Sequence, residues 1–352
     1  VPQTMPDVDA HHGHSAGELV DEMTSAVVNT LSEKVNLNRF QQRTQAFARV
    51  LICITFIEDA YRMATNFSTQ TATIVLVARA GMLPVPPSEA WAVVLLSFLA
   101  QSFGSAAVVF EKHELAGCIT LIVWALVHPM IYAQMGNFEF VTETFTVVGG
   151  LCILLSHLKE MRTFRLSLGA PGQLPGAPAS DRLCLVGRIL LCTYFAYYSL
   201  SKLASIFRGS MPVHTALVEG VLVMCLVYVC ALIVIGSRSR RVAFGLAIVM
   251  TISNVIFHPF WYFWAVGNEY VTLEDVAAIK TRIPVDLSSL GGVAANPDSF
   301  LAVYDHERYF FFQRLSTVGA LVLLAVYGPG RHSVDEANGP TRIEHFTGKG
   351  KD

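Results

Sequence analysis

The chain has 352 residues, of which 53% are hydrophobic and only 15% charged, with a formal net charge of −2. Soluble domains carry about a quarter charged residues. This composition, with a mean hydropathy of +0.48, excludes an ordinary soluble domain and offers no basic surface for nucleic acid. It predicts an all-α polytopic membrane protein.

Residues 1–44 read as a polar N-terminal tail. Pro2, Pro6 and the tract His11-His12-Gly13-His14 open it, and Leu19, Met23, Val27 and Leu31 recur with helical period. An amphipathic helix over 15–35, lying on a membrane surface, follows from that period. The histidine tract reads as a solvated tail rather than a metal site. The sequence starts at Val1, and Asp7, Asp9, Glu18, Asp21 and Glu22 precede the first Lys or Arg. That is the pattern of neither a signal nor a transit peptide, so any leader is expected to be gone already.

Eight spanning helices are predicted, over 46–66, 89–110, 115–135, 140–158, 182–203, 215–236, 242–264 and 308–327. Each is close to the roughly 20 residues that cross a bilayer. The apolar piece 73–83 is too short to span and is expected to re-enter or lie at the interface. A Gly/Pro-rich linker, 159–181, separates a first four-helix half (45–158) from a second (182–327). The second half carries a long connection, 265–307, and a polar tail follows over 328–352.

The halves read as repeats. Arg49-Val-Leu-Ile-Cys-Ile-Thr-Phe56 aligns with Arg188-Ile-Leu-Leu-Cys-Thr-Tyr-Phe195. Thr146-Val-Val-Gly149-Gly150-Leu151 aligns with Ser316-Thr-Val-Gly319-Ala320-Leu321. An even number of spans per half makes the two parallel in orientation. Arg39, Arg43, Lys112, Lys159, Arg162, Arg165, Arg182, Arg238, Arg240, Arg241 and Arg331 fall on one side, against Arg79, Arg208, Lys280 and Arg282 on the other. The positive-inside rule then puts both termini in the cytosol, or in the matrix of a mitochondrion. The connection 265–307 faces the opposite side and is the first candidate surface for a soluble partner.

Ionisable groups inside the apolar runs are the candidate functional residues. Glu58, Asp59 and Arg62 share one helix face, because they are spaced by three and four. Charges at bilayer depth are tolerated when paired or turned to a protein interior. The cluster reads either as a structural charge network or as a ligand or proton site. Two carboxylates against one guanidinium leave one negative charge over. Protonation, or a supporting cation among Arg49, Arg188 and Lys202, would answer it. Arg49 and Arg188 are expected to snorkel to the interface. Asn254 and His258 lie beside Pro259, which is expected to kink the seventh helix. Glu143 and Gln313 are expected at the interface. The seven cysteines lack ligand spacing and read as small buried hydrophobes. No catalytic constellation, metal-ligand spacing or cofactor motif occurs, so the expectation is a non-enzyme with no metal and no cofactor.

The segment Thr55-Phe-Ile-Glu-Asp-Ala-Tyr-Arg-Met63, with Phe47-Ala-Arg49 before it, resembles the surfeit locus protein 4 family, whose yeast members are Erv-type cargo receptors. Val147–Leu155, Asn254-Val-Ile-Phe-His-Pro-Phe-Trp261, Tyr309-Phe-Phe-Phe-Gln313 and the tail Gly328-Pro-Gly330 to Asp335-Glu336 agree in order and spacing. The resemblance implies a receptor in the endoplasmic reticulum and Golgi membranes, surrounded by membrane lipids. Its implied partner is soluble protein cargo. Family members close with a di-lysine retrieval signal, whereas this chain ends Lys349-Gly-Lys351-Asp352. Each half also resembles the DoxX-type four-helix unit. That opens a second reading: an accessory subunit among neighbouring subunits of a large complex in the mitochondrial inner membrane. A small-molecule or lipid transporter is a third.

Overall fold

The computed structural model describes residues 42–168, 178–209, 212–261 and 300–337, and the described residues are helices and short turns. The chain divides into two compact units, 1–45 and 46–352, and the helical bundle is the second. The predicted helix over 15–35, the His11–His14 tract and the sequence 262–299 lie outside the described residues.

Each of the eight expected spans is helical over most of its described residues. Helix α1 occupies 42–65 and α2 Phe67–Arg79. After a 3-10 turn at Pro87–Glu89 come α3 (Ala90–Val109), α4 (Glu114–Ile131) and α5 (Phe138–Leu168). The span expected at 182–203 is divided into α6 (Pro178–Leu191) and α7 (Thr193–Phe207). The remainder is α8 (Val213–Ile235), α9 (Ser239–Phe257), α10 (Phe300–Tyr327) and the short α11 (Val334–Ala337). Among the described residues, seven segments are long and apolar enough to cross a membrane, from Pro87–Val109 to Glu307–Tyr327. Helix α1 is as long, but carries Arg43, Arg49, Glu58, Asp59 and Arg62. Helix α2, with 13 residues, reaches about 20 Å at 1.5 Å per residue, short of a hydrocarbon core of about 30 Å.

Three boundaries differ from expectation. Helix α5 continues to Leu168 through Lys159, Glu160 and Arg162, and α10 begins at Phe300. At 31 and 28 residues both exceed the membrane thickness, so their ends project beyond it as charged helix. Helix α9 is interrupted after Phe257, where Pro259 was expected to kink the span, and helical backbone resumes at Phe260 and Trp261. Pro259 disfavours helical backbone at the preceding residue, and His258 leaves the helix at φ −127°.

Helices α1, α5 and α10 form the centre. Ile52, Leu151, Leu154, Leu321 and Leu323 are fully buried there. In Phe138–Arg162, 72% of the apolar window is buried inside the protein, against 11% in Val213–Ile235. The first is therefore a core helix, and the second turns its side chains to lipid. Five of the cysteines, Cys53, Cys118, Cys152, Cys184 and Cys192, are buried; Cys225 is exposed.

Sequence-equivalent residues make equivalent contacts in this centre. A Cβ on Gly149 would stand 2.5 Å from the backbone nitrogen of Leu191, and one on Gly319 the same 2.5 Å from that of Ile52. Leu191 and Ile52 are aligned positions. So are Thr55 and Tyr194, whose backbone N–H groups donate to Ser316 Oγ (3.1 Å) and Thr146 Oγ1 (3.2 Å) respectively. Each hydroxyl thus inserts into the facing helix's ladder, a recognised cause of bending, and the second sits beside the interruption between α6 and α7. Gly150 and Ala320, also aligned, face each other, with a Gly150 Cβ only 2.3 Å from that of Ala320.

At the Arg-rich end, residues 328–337 dock on the bundle. Asp335 accepts hydrogen bonds from the N–H groups of Arg238 (2.6 Å) and Ser239 (2.9 Å) and from the Ser239 hydroxyl (3.0 Å). It caps the N-terminus of α9 from a distant part of the chain. Its own N–H donates to Gly236 O at 2.9 Å, the residue whose left-handed φ of +76° turns α8 into α9.

Candidate functional site

The buried charges of α1 are matched by the start of the apolar part of α10. Arg308 donates through Nε (2.8 Å) and Nη2 (2.6 Å) to Glu58 Oε1. Asp59 is held by Arg62 within α1 and by Gln101 Nε2 of α3 at 2.8 Å. Two carboxylates therefore meet two guanidinium groups, and Arg308 is the cation that α1 alone lacks. Aromatic rings close around them. Arg62 lies 5.3 Å from the Tyr309 ring centre, and Arg308 lies 5.8 Å from that of Tyr61, both within cation–π range.

Beside Asp59 is a cavity of about 40 Å³. Asp59 and Thr55 line it from α1, Gln101 from α3, Trp124 and His128 from α4, Thr144 from α5, and Tyr309 and Gln313 from α10. His128 Nε2 and Gln313 Oε1 are buried without a hydrogen-bond partner, and His128 Nε2 lies 3.8 Å from Asp59 Oδ2. One wall is aromatic, with His128 packed against Trp124, Tyr132 and Phe140. A second network adjoins it. Arg314 reaches Glu143 (3.5 Å) and Glu139 (3.8 Å) on α5, and its guanidinium lies 5.8 Å from the Tyr194 ring. Because the spans alternate in direction, all these groups gather at the end of the bundle opposite the Arg238–Arg241 turn.

Of the other predicted residues, Gln313 lines the cavity and Glu143 belongs to the adjoining network, while Arg49, Arg188, Lys202, Asn254 and His258 make contacts of their own. Arg49 pairs with Glu111 (2.5 Å) and Glu114 (3.5 Å) at the opposite end. Arg188 does not snorkel: it is fully buried and donates to the carbonyls of Ile233 and His332. Lys202 pairs with Glu219 at 3.0 Å. Asn254 donates to Phe311 O at 2.9 Å, and His258 meets Glu307 at 2.6 Å. Glu143 and Gln313, expected at the interface, are 1% and 2% exposed. Sequence reading missed Arg308, Arg314, Gln101 and His128. For Gln101, His128 and Arg314 the signal was present, since each is a polar residue in an apolar run, the same sign that singled out Glu58; Arg308 follows Asp305-His306-Glu307 and carries no such sign.

Among the described residues no group of three or more His, Cys, Asp or Glu side chains is arranged to hold a metal ion.

The family model described as "SURF4 family" matches residues 22–278. The chain is 27% identical over 288 residues to a surfeit locus protein 4 homolog of Schizosaccharomyces pombe, covering 82% of this chain and 79% of that one. It is 25% identical over 293 residues to the homolog of Drosophila melanogaster, covering 82% and 87%. It is also 21% identical over 322 residues to the ER-derived vesicles protein ERV29 of Saccharomyces cerevisiae, covering 90% and 83%. No solved structure matches. These matches give the mitochondrial reading no support. With a family model covering most of its length and buried charges that follow the motif of α1, this polytopic membrane protein belongs to the SURF4 family.

Proposed function

We propose that the protein is a non-enzymatic cargo receptor of the endoplasmic reticulum membrane. It has both termini in the cytosol, and the charged chamber at the lumenal end takes part in holding soluble secreted proteins. Residues 45–158 and 182–327 act as two half-units around a shared centre, and the tail docked through Asp335 faces coat proteins.

The observation that carries this reading is that the second half does without charges at the three equivalent positions. Continued in register, the second half has Tyr197, Tyr198 and Ser201 where the first has Glu58, Asp59 and Arg62. Helix α7 still packs against α5. Buried ions cost stability relative to apolar packing, so a cluster that the fold does not require argues for contact with a partner. The name of the Saccharomyces cerevisiae relative, which refers to ER-derived vesicles, supports the compartment.

The test is co-purification of lumenal proteins with the full chain from microsomes, beside a Glu58→Gln/Arg308→Gln variant, which leaves neither charge of that pair stranded and is shown to be folded by a cooperative melt. Several-fold enrichment of a set of secreted proteins by the parent, lost in the variant, is expected. Equal recovery with both, or fractionation of the protein with mitochondrial rather than reticular markers, would refute the proposal.

A further inference from the structure

We infer that the cavity bounded by α1, α3, α4, α5 and α10 is a proton-binding water site, with His128 as the proton acceptor and Asp59 as its counter-ion. Three observations lead to it. The cavity, at about 40 Å³, has room for water, which needs roughly 10–15 Å³ on this measure. Two buried polar atoms without partners, His128 Nε2 and Gln313 Oε1, belong to its lining. A water between them has a donor or acceptor on each side, as buried waters require. Histidine is also the side chain whose charge changes between about pH 5 and 8.

The charge balance gives the proton its effect. Glu58, Asp59, Arg62 and Arg308 sum to zero, so a proton on His128 adds one uncompensated positive charge to a buried volume. The ionised groups facing the imidazole are Asp59 and Arg62 from α1. The other titratable groups are the hydroxyls of Tyr132, on its own helix, and Tyr309, on α10. Asp59 is the anion at hand, 3.8 Å away. Turning toward His128, it loosens from Arg62, whose guanidinium rests on the Tyr309 ring. Protonation is thereby coupled to the α1–α10 contact at this end of the bundle. If the chamber holds cargo as proposed above, acidification is a signal for release; the proton site itself does not depend on that reading.

Trp124 supplies a direct probe, since its ring lies 5.9 Å from that of His128 and imidazolium quenches indole emission. The experiment uses the full chain in phosphatidylcholine nanodiscs with Trp91→Phe, Trp261→Phe and Trp264→Phe, leaving Trp124 as the sole emitter. A loss of emission on acidification, with a single midpoint, is expected. His128→Gln should abolish it. Asp59→Asn should move the midpoint to lower pH, and Gln313→Leu should move it as well. A flat profile in the parent, or an unchanged titration in a folded His128→Gln variant, overturns the proposal. Because no cargo is present, failure of cargo binding leaves this readout untouched.

Discussion

Arg308→Gln is the substitution with the largest expected effect. In the parent, two guanidinium nitrogens share Glu58 Oε1 at 2.6–2.8 Å, and the two side chains are only 15% and 6% exposed. Removing one partner of such a buried pair leaves an unpaired charge and costs about 3–5 kcal/mol. Arg62, one turn along α1, still faces the carboxylate, which argues for the lower end of that range, about 3 kcal/mol. A few degrees per kcal/mol makes this roughly a 5–10 °C fall in apparent melting temperature. The buried cysteines, Cys53, Cys118 and Cys152 among them, allow unfolding to be followed with a thiol-reactive dye in detergent. The decisive comparison is the double-mutant cycle. Glu58→Gln with Arg308→Gln removes the stranded charge, so it should be more stable than Arg308→Gln alone by about 2 kcal/mol. Strictly additive losses, or an Arg308→Gln protein that melts with the parent, would show that the pair is not formed.

Two further perturbations test the frame. Gly149→Ala and Gly319→Ala each press a methyl to 2.5 Å from facing backbone nitrogen. Both should lower stability by about 1–3 kcal/mol, while Gly245→Ala, with nothing within 4 Å, should melt as the parent does or slightly higher. At the other end, partial burial of Asp335 raises its pKa. The backbone N–H bonds from Arg238 and Ser239, the Ser239 hydroxyl and nearby Arg240 outweigh that and hold it below the ordinary carboxylate range. A depressed folded pKa gives stability that is present above about pH 4 and is lost as pH falls through the lowered value. Asp335→Asn should flatten that part of the stability–pH curve, read as melting temperature between pH 3 and 6; an unchanged slope would refute the cap.

Helix positions were legible because each span is a continuous apolar run. The piece 73–83 was recognisable as too short to cross, although the helix there runs from Phe67 to Arg79. Helices α5 and α10 overran their predicted ends because Lys159, Glu160 and Arg162, or Asp305 and Glu307, look like loop to any hydropathy argument. Helical backbone continues outside lipid without regard to that boundary. Glu58, Asp59 and Arg62 were legible as a set because helical spacing places them together within one segment. Arg308 was not, since its partner is 250 residues away and only the packing of α10 against α1 joins them. Nor does spacing reveal that Arg188 turns inward. Its environment is made by carbonyls at the end of α8 and in the tail, and backbone acceptors leave no trace in the side-chain pattern. The aligned segments, by contrast, carried three-dimensional information: Leu191 and Ile52 meet equivalent glycines because packing constrains both.

The distance in sequence between Glu58 and Arg308 also sets the order of assembly. Helix α1 precedes α3 to α10 in the chain and is the least able to stand alone, for a charge at the helix centre costs about 2.5–3.5 kcal/mol in lipid. Arg62 serves Asp59 within the helix, but Glu58 has no cation of its own until α10 arrives. The glycine contact between Gly319 and Ile52 comes from that same last span. A chain ending at residue 299 should therefore insert α3 to α9 and still fail to seat α1, and it should turn over several-fold faster than the full chain in a pulse-chase. Supplying residues 300–352 as a separate fragment should restore the lifetime and co-purify with the long fragment. Arg308→Gln in the short fragment should weaken that rescue, and Glu58→Gln in the long one should return part of it. If the truncated chain lives as long as the parent, α1 is held by its neighbours α3 to α5 alone, and the closing role assigned to α10 is wrong.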